Sequence, residues 1–275
     1  MTTTTLSAGG DLRPGRPSLV GDSLTLTRRA LAQWRRDPGP LVGALAFDVL
    51  ILLMFAYLFG GALQVPGGGD YREFLLPGIF AMTMLFGISQ TTVAVSADAE
   101  RGVTDRLRSM PVSRLAPLVG RAAADMLFAV VTLAVMLLAG LAVGWRPHGG
   151  PGATLAALGL VLLLRFALAW VGIYLGLVTK GPGAVTAVQT LEFPLGFLSS
   201  AFVAPSTMPG WLGAVAQWNP LSATVGATRE LFGNPGWGGD SWVAAHHPLL
   251  AVLWPVALVA VFLPLSLRRY RALGG

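Results

Sequence analysis

Apolar and polar positions divide the chain into six long apolar runs, separated by short segments rich in charge, glycine and proline. The runs lie near residues 41–63, 74–95, 118–145, 153–178, 184–204 and 249–267. Each is long enough to cross about 30 Å of hydrocarbon at 1.5 Å per helical residue. The pattern predicts an all-α integral membrane protein with six transmembrane helices. The third and fourth runs exceed the required length, so tilting or extension beyond the bilayer is expected.

Three segments outside these runs carry their own pattern. On a helical wheel of Asp22–Asp37, Leu24, Leu26, Ala30, Leu31 and Trp34 fall on one arc, and Arg28, Arg29, Arg35 and Arg36 on the other. That separation predicts a basic amphipathic helix in the membrane interface, ended by Pro38 and Pro40. The plainer reading is a basic flank of the first span. In the loop 96–114, Gly102 permits a change of direction, and Thr104 and Asp105 suit the start of a short helix. Arg106 and Arg108 suit its end, and Pro111 stops it; an ordinary basic loop is the alternative. The third segment, 203–248, is too long and too apolar for a connector. Trp211, Leu212, Val215 and Trp218 share a helical face, and Asn219-Pro220 reads as an N-cap with proline at the first helical position. Leu221, Val225, Thr228 and Phe232 follow at helical spacing, with Gly233 and Pro235 closing the helix. Two short helices too brief to cross are expected to dip into the outer leaflet, packed against protein.

Composition agrees with the pattern. Hydrophobic residues make up 54% of the 275 residues and charged ones 12%, about half the usual share for a soluble domain. The net charge of +6 does not indicate nucleic acid, because the arginines sit beside apolar runs. Of the 19 basic residues, 15 fall on one set of flanks, three (Arg72, Arg146, Arg229) on the other, and Arg165 within a span. The positive-inside bias therefore predicts both termini in the cytoplasm. Trp34 and Tyr270 are expected at the inner boundary, and Tyr71 and Trp145 at the outer one. Residues 1–20 lack a signal-peptide core and are expected to form a disordered, retained tail, and 272–275 a second tail. The arginine bias with high alanine, glycine and proline fits a GC-rich bacterial genome.

The order of parts resembles the permease subunits of ABC type-2 exporters, in the branch of daunorubicin-resistance-type multidrug permeases. The resemblance spans roughly residues 20–271. Its most specific parts are Glu100–Arg114 (ERGVTDRLRSMPVSR) and Phe197–Phe232, with Met208-Pro209, Trp211 and Asn219-Pro220. It implies an exporter in the bacterial plasma membrane that moves amphipathic molecules by alternating access. It further implies two permease chains, identical or paralogous, paired with two ABC ATPase subunits that hold ATP and magnesium. It makes Asp22–Asp37, with Arg28, Arg29, Trp34, Arg35 and Arg36, the connecting helix. The loop carrying Glu100, Arg101, Thr104, Asp105, Arg106, Arg108 and Pro111 becomes the coupling helix on the ATPase. Met208, Trp211, Trp218, Asn219 and Pro220 become part of re-entrant helices closing the outer mouth. Spans two and five are implied to face the substrate path.

The chemistry missing from the chain fits that division of labour. A P-loop needs a Gly-Lys-Ser/Thr sequence, and the only lysine, Lys180, sits between Thr179 and Gly181. No catalytic, cofactor or metal site is expected: there is no cysteine, and His148, His246 and His247 lack zinc-peptidase spacing. Gly67–Gly69 reads as a turn. Charges within spans cost about 2.5–3.5 kcal/mol on insertion scales, so Asp48, Gln90, Arg121, Asp125, Arg165, Gln189 and Glu192 are the polar candidates. Arg121 and Asp125 lie four residues apart, and Asp125 and Arg165 fall at similar depths, which predicts an ion pair between consecutive helices. Glu192 reads either as a cation-attracting group on the path or as a carboxylate tied to a neighbouring helix, beside a kink at Pro194. A secondary transporter or channel using Asp48, Asp125 or Glu192 is the alternative function, though no inverted repeat is visible. An intramembrane enzyme lacks a nucleophile–base set.

Overall fold

A computed structural model describes residues 19–60, 70–101, 115–179, 181–236 and 241–272. The described residues are helical, without strands. The helices are α1 (Leu19–Arg36), α2 (Gly39–Met54, continued by a π-turn Phe55–Phe59), α3 (Tyr71–Glu100), α4 (Ala116–Ala142), α5 (Gly150–Val178) and α6 (Pro182–Phe197). After a 3₁₀ turn at Pro205–Thr207 come α7 (Gly210–Trp218), α8 (Pro220–Phe232), the single turn α9 (Trp242–Ala245) and α10 (His247–Ala272). Helix boundaries follow local chemistry. The Asp70 carboxylate caps α3 by accepting the Arg72 amide at 2.8 Å. A proline occupies one of the first two positions of α4, α5, α6 and α8, where a missing N–H costs nothing. Gly233, at φ 68°, ends α8 in the left-handed conformation.

Five helical segments among the described residues are long and apolar enough to cross a membrane: Gly39–Leu58, α3, α4, α5 and α10. The fifth predicted run behaves differently. Its helix α6 has 16 residues, about 24 Å, and stops at Phe197, three residues after Pro194. The sequence from Leu198 to Ala204 is mostly apolar, broken by Ser199 and Ser200, and turns instead of continuing the helix.

The bundle is built around α3, whose apolar window is 78% buried against 17% for the first span. Leu75, Leu76, Ile79, Phe80, Met82 and Met84 form the centre of the core. The most extensive helix contact is a seam between α3 and α5. A Cβ on Gly172 would lie 2.8 Å from the Ile88 carbonyl, and one on Gly176 would lie 2.9 Å from the Thr92 carbonyl. The Thr92 and Ser96 hydroxyls donate to the Gly172 and Gly176 carbonyls, each at 3.2 Å. This is a small-residue crossing in which backbone meets backbone, the favoured way to join helices where apolar burial gives no drive. Helix α10 covers the other side of α5. By contrast, α2 and α10 leave most of their apolar surface outward.

At the arginine-poor end of the bundle, Arg72 ties the first span to α4. It donates to the Ala56 carbonyl at 3.4 Å and to the Val143 carbonyl at 3.3 Å. Trp145 is fully buried in edge-on contact with Phe80 and Phe232, and its indole N–H reaches Asn234 Oδ1 at 2.9 Å. Tyr71 is also buried and donates to the Phe202 carbonyl at 3.2 Å. Tyr71 and Trp145, expected at the outer boundary, thus both direct their rings to partners inside the bundle.

Candidate functional site

The amphipathic segment is helical as expected, with Arg28, Arg29, Arg35 and Arg36 exposed. Its buried face differs from the wheel. Ser23 and Thr27 are buried and Leu24 is 53% exposed. The cause is close approach to α4: Gly120 admits Ser23 and Leu26 onto its backbone, and the Thr27 hydroxyl donates to the Gly120 carbonyl at 3.2 Å. Trp34 packs against Phe128 with ring centroids 5.7 Å apart. Thus α1 is fastened to α4 along its length. Glu100 is the last residue of α3 and Arg101 its C-cap. Thr104, Asp105, Arg106, Arg108 and Pro111 lie outside the described residues.

The intramembrane charges converge as their spacing suggested. Arg121 Nη2 is 2.7 Å from Asp125 Oδ1, and Arg165 Nη2 is 3.7 Å from Asp125 Oδ2. Thr91 on α3 mediates: its hydroxyl donates to Asp125 Oδ2 at 2.6 Å and accepts from Arg165 Nη2 at 2.9 Å. The arginine reaches across α3 because residue 87 is glycine; a Cβ there would lie 2.5 Å from the guanidinium carbon. Three helices are therefore joined by one polar cluster, with Asp125 and Arg165 each 3% exposed. Glu192 is buried too, and its Oε1 accepts the Ser89 amide at 2.5 Å, linking α6 to α3. Asp48 is buried and makes no ion pair or hydrogen bond among the described residues. Gln90 and Gln189 are exposed. Gln90 follows Ser89, and Gln189 precedes Glu192 by one turn, so the two flank the contact between α3 and α6.

Of the segment 203–248, Trp211 and Trp218 are exposed, Met208 and Pro220 half-buried, and Trp218 stacks on Trp242. Asn219 does more than the N-cap read from sequence. Its Oδ1 accepts the Leu221 amide at 2.9 Å, while its Nδ2 donates to the carbonyls of Leu195 and Leu198 at 2.9 and 2.7 Å. Those carbonyls close α6. Gly196 of the same turn packs on Met82 and Leu85, about two helical turns into α3 from Phe74. From there α8 runs back to the arginine-poor end, where the His148 and Gly149 amides donate to the Phe232 carbonyl at 2.6 and 3.0 Å.

One residue went unnoticed in sequence. Arg229 of α8 counted as a flank charge, yet it is fully buried. Its Nε donates to the Phe74 carbonyl at 2.8 Å and its Nη2 to the Ala201 carbonyl at 3.0 Å. The guanidinium lies 3.5 Å from the centroid of the Phe74 ring. Among the described residues no carboxylate pairs with it; carbonyl dipoles and a π face hold the charge. A signal was present, since Val225 and Phe232 stand four before and three after Arg229, on its own helical face.

Comparison with known proteins joins these parts to a family. Residues 23–232 match the model of the ABC-2 type transporter family. The chain is 35% identical over 270 residues to the daunorubicin resistance ABC transporter permease protein DrrB1 of Streptomyces coeruleorubidus, covering 98% of this chain and 92% of that one. It is 25% identical over 210 residues to the doxorubicin resistance ABC transporter permease protein DrrC of Mycobacterium tuberculosis, with 76% of each chain covered. It is 27% identical over 216 residues to the transport permease ycf38 of Pyropia yezoensis, covering 77% of this chain and 74% of that one. The match takes in α1, the charge cluster and the Asn219 joint alike, and the chain belongs to the ABC-2 type transporter family.

Proposed function

We propose that the protein is the membrane-spanning permease subunit of an ATP-driven exporter, working as a pair of permeases, identical or paralogous, with two separate ABC ATPase subunits. Its cargo is an amphipathic molecule, lipid-like or drug-like, moved outward across the bacterial plasma membrane by alternating access. The observation that carries this reading is the family match over residues 23–232 in a chain whose only lysine stands outside any P-loop sequence. ATP and magnesium belong to the partner in this reading.

Orientation follows from arginine placement: both termini and the loop after Glu100 face the cytoplasm. That loop, including Thr104, Asp105, Arg106, Arg108 and Pro111, acts as the coupling helix, and α1, with its exposed arginines, as the connecting helix. What supports the second role is the fastening of α1 to α4 through Gly120 and Trp34. Helices α7 and α8 act as re-entrant outer helices, with Met208, Trp211, Trp218, Asn219 and Pro220 in the outer gate. The shortness of α6, and its end against Met82, support this: α8 occupies the depth that α6 leaves. Asp125, Arg165 and Glu192 hold the bundle, while Gln90 and Gln189, exposed beside the contact of α3 and α6, face the cargo. A proton-coupled transporter draws little support, since Asp125 and Glu192 are both committed to partners and, of the three candidates, Asp48 alone has no partner among the described residues.

Affinity purification and vesicle transport test the reading. The tagged chain is expected to bring down a P-loop ATPase and to stimulate its hydrolysis. Vesicles holding the pair are expected to accumulate doxorubicin only with ATP. Transport by the chain alone, without nucleotide, would overturn the proposal.

A further inference from the structure

The end of α6, like any helix end, leaves its last carbonyls without intrahelical partners. Two of these, on Leu195 and Leu198, take their hydrogen bonds from a single side chain, the Asn219 amide. The same side chain caps α8 through its oxygen. One residue thus joins the last turn of α6 to the first turn of α8. Each joined helix is anchored elsewhere. Helix α6 is held to α3 by Glu192 on Ser89, and α8 is held to α3 and the 198–204 turn by Arg229.

A second, independent feature lies beside the joint. An open apolar depression of about 530 Å³ on the outer surface is lined by Leu195, Leu198, Ala214, Val215, Trp218 and Asn219. Close-packed interiors resist relative movement of their elements. Helices α6 and α8 share little direct packing with each other, so the angle between them can change while the three hydrogen bonds persist.

We infer that Asn219 is a mechanical pin, a positioning residue that makes α8 follow α6 during the transport cycle. The inference deepens the exporter reading and rests on it. The Ser200 amide, in the turn after α6, also donates to the Ser222 hydroxyl of α8 at 2.8 Å, but among the described residues the carbonyls that end α6 itself reach α8 only through Asn219.

Substitution separates capping from pinning. Asn219→Ser keeps a good N-cap but has no amide to reach two carbonyls. Asn219→Asp keeps the cap and turns a lone-pair oxygen towards them. Both are measured in the permease–ATPase complex in vesicles, beside the unaltered complex, for ATP hydrolysis, doxorubicin transport and thermal midpoint. The expected result is hydrolysis within about twofold of the unaltered complex and transport down at least tenfold, with little change in midpoint. Such uncoupling is not what a purely structural cap produces. Transport within twofold in both variants would overturn the pin. So would a parallel loss of folding, hydrolysis and transport in both, which would make Asn219 only a structural cap. If the unaltered complex itself neither hydrolyses nor transports, it is the exporter reading that fails.

Discussion

Asp125 shows how much of a buried polar cluster rests on one group. It faces two arginines and a threonine hydroxyl, and only Arg121, with 23% of its side chain exposed, has an escape to water. Removing one partner of a buried pair leaves the other uncompensated, at a cost of about 3–5 kcal/mol. Asp125→Asn is therefore expected to lower the thermal midpoint in detergent by roughly 10 °C. Replacing both groups, Asp125→Asn with Arg165→Met, is expected to recover more than half of that loss; no recovery would break the proposed energetic link. The pairing was legible in sequence because helical spacing and span depth place charges well. The role of Thr91 was not, since a threonine in an apolar helix usually bonds its own preceding turn, and Thr91 also contacts Gly87 in that way. Arg229 was missed for a related reason: a charge near a predicted loop reads as solvated unless its helical face is checked.

Among the elements, the α3–α5 seam shows what a glycine pair achieves in lipid. Gly172 and Gly176 let the two backbones touch, and Thr92 and Ser96 add hydrogen bonds across the contact. Gly172→Val is expected to force the helices apart, at a cost of about 1–3 kcal/mol from overpacking. The same change at Gly159, which has nothing within 4 Å of an added Cβ, is expected to be silent. Equal thermal midpoints for the two variants in detergent would remove the seam's special status. Apolar run length revealed most of the helices, because a bilayer imposes a length that the sequence must meet. It misjudged α6, because hydropathy cannot tell an apolar helix from an apolar turn. Leu198–Ala204 is mostly apolar in either form, and the turn is held by residues distant in sequence, Asn219, Ser222 and Arg229. The face by which α1 meets α4 was not legible either, since Gly120 makes two small polar residues, Ser23 and Thr27, its neighbours.

For the molecule as a whole, the absence of cysteine makes topology directly measurable. Single cysteines at Arg106 and Arg271 are expected to react with a membrane-impermeant thiol reagent only in inside-out vesicles, and one at Glu230 only in intact cells. Labelling of Arg106→Cys from outside would invert the proposed orientation and sever the loop from any cytoplasmic ATPase. The unequal burial of the helices has a meaning at this scale. Helix α3 is enclosed, whereas the first span and α10 present apolar surface outward, as segments facing lipid or a second chain do.

The α3–α5 seam also has a consequence for leverage. Helix α3 has 30 residues, about 45 Å of rod, braced by α5 over its lower half. A stiff rod converts rotation at one end into displacement at the other, and a tilt of about 5° would carry the Tyr71 end some 4 Å sideways. Tyr71, Phe74 and Gly78 are the points where α3 grips the 198–204 turn and Arg229. A modest stroke applied beyond Glu100 would thus pass through the braced half without bending, and any flexing on the way to the far surface would fall at Pro77, in the unbraced half.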